Sequence, residues 1–503
     1  MITIAATQET PDGWLLVPLP EICQINPPKP AQDALPPDGP VTFVPMPAVD
    51  ADSGTIATPM IRPFAEVRKG FTAFRDYDVI MAKITPCMEN GKAAIARNLE
   101  NGFGFGSTEF HVFRSSPAIL PEFVFYFIRQ ESFRRSAADE MTGSVGQKRV
   151  PAEFLKRTGI PLPPLAEQKR MVAKVETLLA RVNAARQRLA KVPALLKRFR
   201  QSVLAAACSG QLTEDWRTKN GHHDATADFQ SIGTKPANES TKAEATEGHE
   251  AIANAVPPSW TLPCLESLFR FIDYRGKNPQ KAASGKRLIT AKNISMGYIS
   301  DEPIEFVSDA TYVAWMTRGF PKKGDIFFVT EGATMGFVAL NDREGEIALA
   351  QRTLTLQPFQ TLGTKFFYYF MMSKFFQDLV VLNATGSAAV GIKAARVRDL
   401  PAPFPPLAEQ HEIVRRVEAL LARADRIEKR LATATRRVET LTQAILAQAF
   451  RGELVPTEAE LARQEGRDYE PAAALLERIR ADRAKEMKDH ELTKKRETRS
   501  KRP

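Results

Sequence analysis

The sequence predicts an α+β protein made of two tandem mixed α/β units, each followed by a long helix, with an internal pseudo-twofold relation between its halves. Three observations predict it. A stretch of roughly 50 residues occurs twice without a gap, from Pro163 to Leu212 and from Pro405 to Leu454, with about 22 positions identical. Inside each copy the apolar residues step by four and three over about five heptads, the pattern of a coiled-coil helix. Loosely matching segments with the mixed signature of strands and short helices precede both copies.

Each long helix has a readable start and stop. Pro161, Pro163 and Pro164 lead into the first, and Pro403, Pro405 and Pro406 into the second; proline is tolerated there because first-turn N–H groups have no helical partner. Glu167 and Glu409 fall near the positive end of the helix dipole, and Gly210 and Gly452 stand where a left-handed closing residue belongs. The apolar seam is Met171, Val175, Leu178, Val182, Leu189, Leu196 and Phe199 in the first copy. In the second it is Ile413, Val417, Leu420, Ile427, Leu431, Val438 and Leu441. At about 1.5 Å per residue each helix is roughly 65 Å long. Pro193 predicts a kink or short break in the first.

The segments upstream correspond piece by piece. Pro11-Asp12-Gly13-Trp14 opens one half and Pro257-Pro258-Ser259-Trp260 the other. Tyr77-Asp78-Val79-Ile80 and Gly324-Asp325-Ile326-Phe327 begin similar strands, followed by turns at Gly91 and Gly336. The runs Phe123 to Phe127 and Phe366 to Phe370 read as core-facing amphipathic helices rather than base-stacking platforms. Thr142-Gly143-Ser144 and Thr385-Gly386-Ser387 come next. The helices have stayed alike while the globular units have diverged, as expected of one scaffold carrying two recognition surfaces.

These features resemble the specificity subunit of a type I restriction-modification system, closest to the enterobacterial K-type (type IA) group. The resemblance covers nearly the whole chain. It is carried by the two PPLAEQ helix starts, by Leu196 to Gln201 with Leu212-Thr213-Glu214, by Phe450-Arg451-Gly452-Glu453-Leu454 and by Ala473 to Ile479. It implies target-recognition domains at about residues 1–160 and 257–402, and conserved coiled-coil helices at about 161–216 and 403–455. A flexible linker would span about 217–256, and a C-terminal helix with a basic tail about 456–503. It also implies that each recognition domain reads one half of a bipartite site on double-stranded DNA, while the helices set the gap and dock two methyltransferase subunits. Restriction and translocase subunits complete such a complex. Two half-sites on a duplex are related by a perpendicular twofold, and heads at the starts of two antiparallel helices are held apart, so an antiparallel coiled coil is expected. Unlike heads imply an asymmetric target.

Composition is compatible with this. Net charge is +10 over 503 residues, which favours a polyanionic partner. Cys23, Cys87, Cys208 and Cys264 form no C-x-x-C pair, and no signal peptide or bilayer-spanning run is evident, so a cytoplasmic protein without structural zinc or membrane contact is expected. The polar stretch from Lys219 to Val256 reads as a flexible linker. Its histidines, His222, His223 and His249, lack the fixed frame a metal needs.

No catalytic constellation is present in the sequence. Asn26-Pro27-Pro28 begins like the tetrad with which amino-methyltransferases grip a flipped base, but Lys29 stands where a stacking ring is needed. The glycines of Asn101 to Ser107 alternate with phenylalanines, which suits a turn or strand edge better than a cofactor loop. Gly91-Lys92, Gly276-Lys277 and Gly285-Lys286 lack the Ser or Thr of a phosphate loop. A non-enzymatic chain is therefore expected, with no cofactor of its own; the resemblance puts S-adenosylmethionine and ATP on partner subunits. DNA contacts are expected from Arg68, Lys69, Lys83, Lys92, Lys148 and Arg149 in the first head. In the second head the candidates are Arg275, Lys277, Lys286, Arg287, Lys292 and Lys393. Lys148, Arg149 and Lys393 stand out because they follow the Thr-Gly-Ser segments. The competing reading is a duplicated coiled-coil adaptor that binds only proteins.

Overall fold

The computed structural model describes residues 10–144, 146–221, 223–232, 249–274, 278–359, 363–386 and 390–485. The chain divides into two compact units, Met1–Leu189 with Thr433–Pro503, and Ala190–Ala432. Each therefore holds one mixed α/β head with part of both long helices, Leu165–Cys208 and Leu407–Phe450.

In the first unit the central sheet runs in the order Cys23–Ile25, Phe110–Ser115, Val79–Ala82, Ala93–Ile95, with every pairing antiparallel. Val79–Ala82 is buried on both faces. Because side chains alternate along a strand, Val79 and Met81 join the core containing the aromatic helix, while Ile80 joins a second core with Phe74 and Val112. A second sheet has the order Met60–Pro63, Pro40–Val44, Phe103–Gly106, Thr72–Arg75, and only its central pair is parallel. Phe103–Gly106 is thus an interior strand rather than an edge. Its glycines answer to packing: a Cβ at Gly104 would enter the Phe74 ring.

The second unit repeats this plan. Its central sheet has the order Phe269–Asp273, Thr353–Pro358, Ile326–Val329, Val338–Leu340, again antiparallel throughout. Its other sheet orders Phe306–Val307, Lys286–Ile289 and Ile347–Leu349, with an antiparallel and then a parallel pairing. Among the described residues that sheet lacks the fourth strand of its counterpart.

The aromatic runs form helices Pro121–Ile128 and Thr364–Met372. The first is not amphipathic: all of Phe123 to Ile128 are buried. Phe123 and Phe127 stack against Phe450 at 5.2 and 5.5 Å, so the end of the second long helix closes this side of the helix. In the second unit Phe366, Phe367 and Phe370 are equally buried.

The long helices pack as pairs within each unit. In the first, Met171, Val175 and Val182 share a core with Val438, Ile445 and Phe450. In the second, Val203, Leu204 and Ala207 share one with Ile413 and Val417. Of the predicted seam, Met171, Val175, Val182, Leu196, Ile413, Val417 and Val438 are buried, and Leu178, Leu189, Leu420 and Leu431 are partly so. Phe199, Ile427 and Leu441 are exposed, at 39, 47 and 45%. They belong to the row that begins with Met171 and Ile413 and is spaced by sevens. That row is buried only where the head covers the helix start; further along it lies on the flank. Pro193 does not interrupt the first helix, which is continuous from Leu165 to Cys208. One lost backbone hydrogen bond is a local defect in a helix held by tertiary packing on both sides of it.

The stretch read as a flexible linker also differs. Helix Ala225–Ser231 is capped by Asp224, whose carboxylate accepts the Thr226 N–H at 2.9 Å, and Ala225, Ile232 and Ile252 enter the second unit's core. A few apolar anchors in a polar context hold its described parts against that core. His222 and residues 233–248 lie outside the described residues, as does the basic tail beyond Lys485. Among the described residues no cluster could hold a metal, and no helix is long and apolar enough to cross a membrane.

Candidate nucleic-acid interface

The frame of each head is fixed by the AEQ triplet at its helix start. Glu167 is fully buried and accepts the Trp14 indole N–H at 2.8 Å and the Glu458 N–H at 2.9 Å. Burial pushes its carboxyl above the usual range, with those two donors opposing. Glu409 repeats the contact with Trp260 at 2.9 Å, and further accepts from Thr213 at 2.7 Å and from Arg217. Next to them, Gln168 and Gln410 donate to the carbonyls of Pro163 and Pro405 at 3.0 and 2.8 Å. Gly210 and Gly452 have φ of 74° and 73°, and a Cβ at either would collide with Pro257 or Pro11. The helix dipole by itself accounts for an acidic residue at this point; the clasp to tryptophan joins residues 153 positions apart, which local spacing does not reveal.

A second duplicated feature lies at one end of each central sheet. In the first head the segment from Thr142 folds back so that Thr142 and Arg149 exchange backbone hydrogen bonds at 3.0 and 2.8 Å. Val150 N–H then donates to Lys83 at 2.9 Å, and Lys83 N–H to Glu109 at 2.8 Å. In the second head Thr385 and Gly391 make the same exchange at 2.8 and 3.0 Å. Ile392 N–H donates to Thr330 at 2.8 Å, and Thr330 N–H to Arg352 at 3.0 Å. This registers Lys83 with Thr330, Glu109 with Arg352, and Arg149 with Gly391.

The same register separates residues that looked equivalent. Lys148 and Arg149 align with Val390 and Gly391, whereas Lys393 aligns with Pro151 ahead of a short helix. Lys148 is exposed with no ion-pair partner among the described residues, and Arg149 is clamped by Glu109, with Nε and Nη2 at 2.9 and 2.8 Å from its oxygens. The arginine's hydrogen bond holds the Glu109 carboxyl below its usual range. Lys83 is half-buried beside them.

The remaining candidates are scattered. Arg68 and Lys69 follow the short helix Phe64–Val67, and Lys92 is spent on the Met46 carbonyl at 3.1 Å. Lys286 is paired with Glu346 at 2.5 Å, and Arg287 donates to the carbonyls of Asp301 and Pro303. Lys292 and Lys393 are exposed. Arg275 and Lys277 lie outside the described residues, as does Ser387. Asn26 is structural: its side-chain oxygen accepts the Val112 N–H at 3.0 Å, and its amide meets His111 Nδ1 at 3.0 Å.

Residues 11–194 and 317–435 match the family described as type I restriction modification DNA specificity domain. The chain is 33% identical over 358 residues to the EcoBI specificity subunit of Escherichia coli, covering 69% of each. To the EcoKI specificity subunit of Escherichia coli strain K12 it is 32% identical over 386 residues, covering 74% of each. Among solved structures it resembles the HsdS subunit from Thermoanaerobacter tengcongensis, with a TM-score of 0.60 and 21% identity across 89% of this chain and 99% of that one. A structure solved for complex assembly and conformational transition of a type I restriction-modification system gives 0.59 over 89% of this chain and all of the other. The chain belongs to the type I restriction-modification specificity subunits, and its relatives include the K-type group.

Proposed function

We propose that this chain is the non-catalytic, DNA-reading subunit of a cytoplasmic type I restriction-modification complex. Each head reads one half of an asymmetric bipartite site on duplex DNA. The two long helices pair antiparallel about a pseudo-twofold, set the gap between half-sites and dock two methyltransferase subunits, with restriction subunits joining them. Methyl transfer from S-adenosylmethionine and ATP-driven cleavage belong to those partners.

The observation that carries this reading is the duplication at two levels. The central sheets of both heads have the same strand order and the same backbone frame at one end, yet carry different side chains there. In the first unit the start of one long helix packs with the end of the other, and in the second unit the roles are exchanged. A protein-only adaptor gives no reason for two conserved frames with diverged tips.

Exchange of residues 1–160 for those of a relative, followed by methylome sequencing of a host that supplies the methyltransferase subunit, tests it. One half of the methylated motif should change and the other should stay. A change in both halves, or methylation independent of this chain, would overturn the proposal.

A further inference from the structure

The two sheet ends carry one ion pair each, built from different positions. In the first head the arginine is on the folded-back segment and the acid just ahead of the strand Phe110–Ser115: Arg149 with Glu109 at 2.8 Å. In the second the position of Glu109, just ahead of the corresponding strand Thr353–Pro358, holds Arg352, and the acid is Glu331, which takes the place of Ile84. Arg352 Nε lies 2.8 Å from the Glu331 carboxylate. Between Thr385 and Ile392 the second head has no basic residue, and among the described residues Arg352 supplies the guanidinium at this position of the frame. Gly391 leaves the space that Arg149 fills in the first head, and a Cβ there would press on Glu331. Arg352 also has a φ of 74°, a left-handed conformation that glycine or asparagine adopts more readily than arginine. Such strain is retained mainly where a side chain must be aimed.

We propose that Arg149 with Glu109, and Arg352 with Glu331, are the base-reading pairs of the two heads, each taking one G·C base pair in the major groove. The inference rests on the heads being DNA-reading domains. Phosphates alone do not account for the pairs, because a carboxylate beside the guanidinium cancels its charge and repels an anion. A G·C edge needs both groups. Guanine O6 and N7 are adjacent acceptors that fit the two parallel donors of an arginine fork, and cytosine N4 is a donor that a carboxylate accepts. Glu109 occupies Nε and one Nη2 proton, and the Gln147 carbonyl takes one from Nη1 at 2.8 Å. One N–H on each Nη remains free to donate to a pair of acceptors. Side-chain exposures of 41% for Arg149 and 52% for Arg352 leave both guanidinium groups within reach of a groove. Unpaired Lys148 beside the first pair is suited to the flanking phosphate.

The test uses the whole complex, with this chain and its methyltransferase subunits, and methylation rates on duplexes substituted at each motif position. Arg352→Lys, which keeps the charge but loses the fork, should lower discrimination at one G·C pair of one half-site by about ten- to a hundredfold. Arg149→Lys should do the same in the other half-site. Glu109→Gln and Glu331→Gln should relax the same base pairs, giving a second route if an arginine variant folds poorly. A uniform loss of rate without loss of discrimination, or relaxation in both half-sites from one substitution, would overturn the inference. A wild-type complex that methylates without any bipartite motif would instead overturn the DNA-reading assignment beneath it.

Discussion

The two heads agree in the backbone of their central sheets and differ in the side chains at one end of those sheets. Their central sheets share strand order and direction, and the hydrogen bonds that fold Thr142–Arg149 and Thr385–Gly391 onto those sheets correspond one for one. At matching positions on these frames stand Glu109 and Arg352, Arg149 and Gly391, His111 and Leu354. A frame whose hydrogen bonds use only main-chain groups tolerates such exchanges, because no bond of the frame depends on which side chain is present. Diverged surfaces on a retained frame follow from that division of labour.

The comparison is broken most severely at the clasps. Glu409→Ala should cost the second unit about 3–5 kcal/mol, since it strands Arg217, whose side chain is 13% exposed, together with the Trp260 indole. Glu167→Ala should cost the first unit less, about 1–3 kcal/mol, because only the neutral donors of Trp14 and Glu458 lose their acceptor while Arg170 keeps Glu458. Hydrogen exchange followed separately in each unit of the full chain measures both, and equal losses would contradict the difference in partners.

A smaller effect separates the two rows of the helix seam. Leu196→Ala, at a site 6% exposed, should destabilise by about 2–4 kcal/mol, whereas Phe199→Ala, at 39%, should cost less than about 1 kcal/mol. Denaturant midpoints of the second unit decide this; similar losses would mean that both rows are sealed in solution.

The smallest effect concerns pH and only the first head. Burial lowers the pKa of His111, whose Nε2 lies 2.8 Å from the Val150 carbonyl. A histidine depressed in the folded state takes up protons more readily when unfolded, so its contribution is complete above the unfolded value of about 6.5 and declines as pH falls toward the folded one. His111→Leu, which installs the second head's residue, should cost about 1 kcal/mol at pH 7.5 for the lost hydrogen bond and flatten the decline below pH 6.5. An unchanged pH profile in the variant would assign the decline to other groups.

Periodicity made the long helices legible, because a seven-residue repeat sustained over five heptads has few other readings. Glycines at their ends were legible for a similar reason: Gly210 and Gly452 have the left-handed φ that an ending helix requires. The exposed row of Phe199, Ile427 and Leu441 was not, since a heptad pattern reports which residues are apolar and not how far the head's cover extends. Spacing and main-chain register also disagree on which residues of the two heads correspond. Lys393 and Lys148 follow matching Thr-Gly-Ser segments, but main-chain register puts Lys393 opposite Pro151, and Arg352 leaves no local signal because its neighbours in space are distant in sequence. The polar stretch before Trp260 hid Ala225 and Ile232, isolated apolar residues whose burial depends on the tertiary frame.

The Glu458 N–H that completes the first head's clasp lies 291 residues beyond Glu167, and Leu475 and Ile479 enter the same core. Translation at about 5–20 residues per second separates those two points by roughly 15–60 s. During that interval the head synthesised first has a buried carboxylate short of a donor and a core short of its last apolar side chains. The second head draws its comparable contacts, Thr213 and Arg217, from chain already made before it. On the ribosome the order of completion is therefore inverted: the later head can close first, and the earlier one waits for Glu458, Leu475 and Ile479.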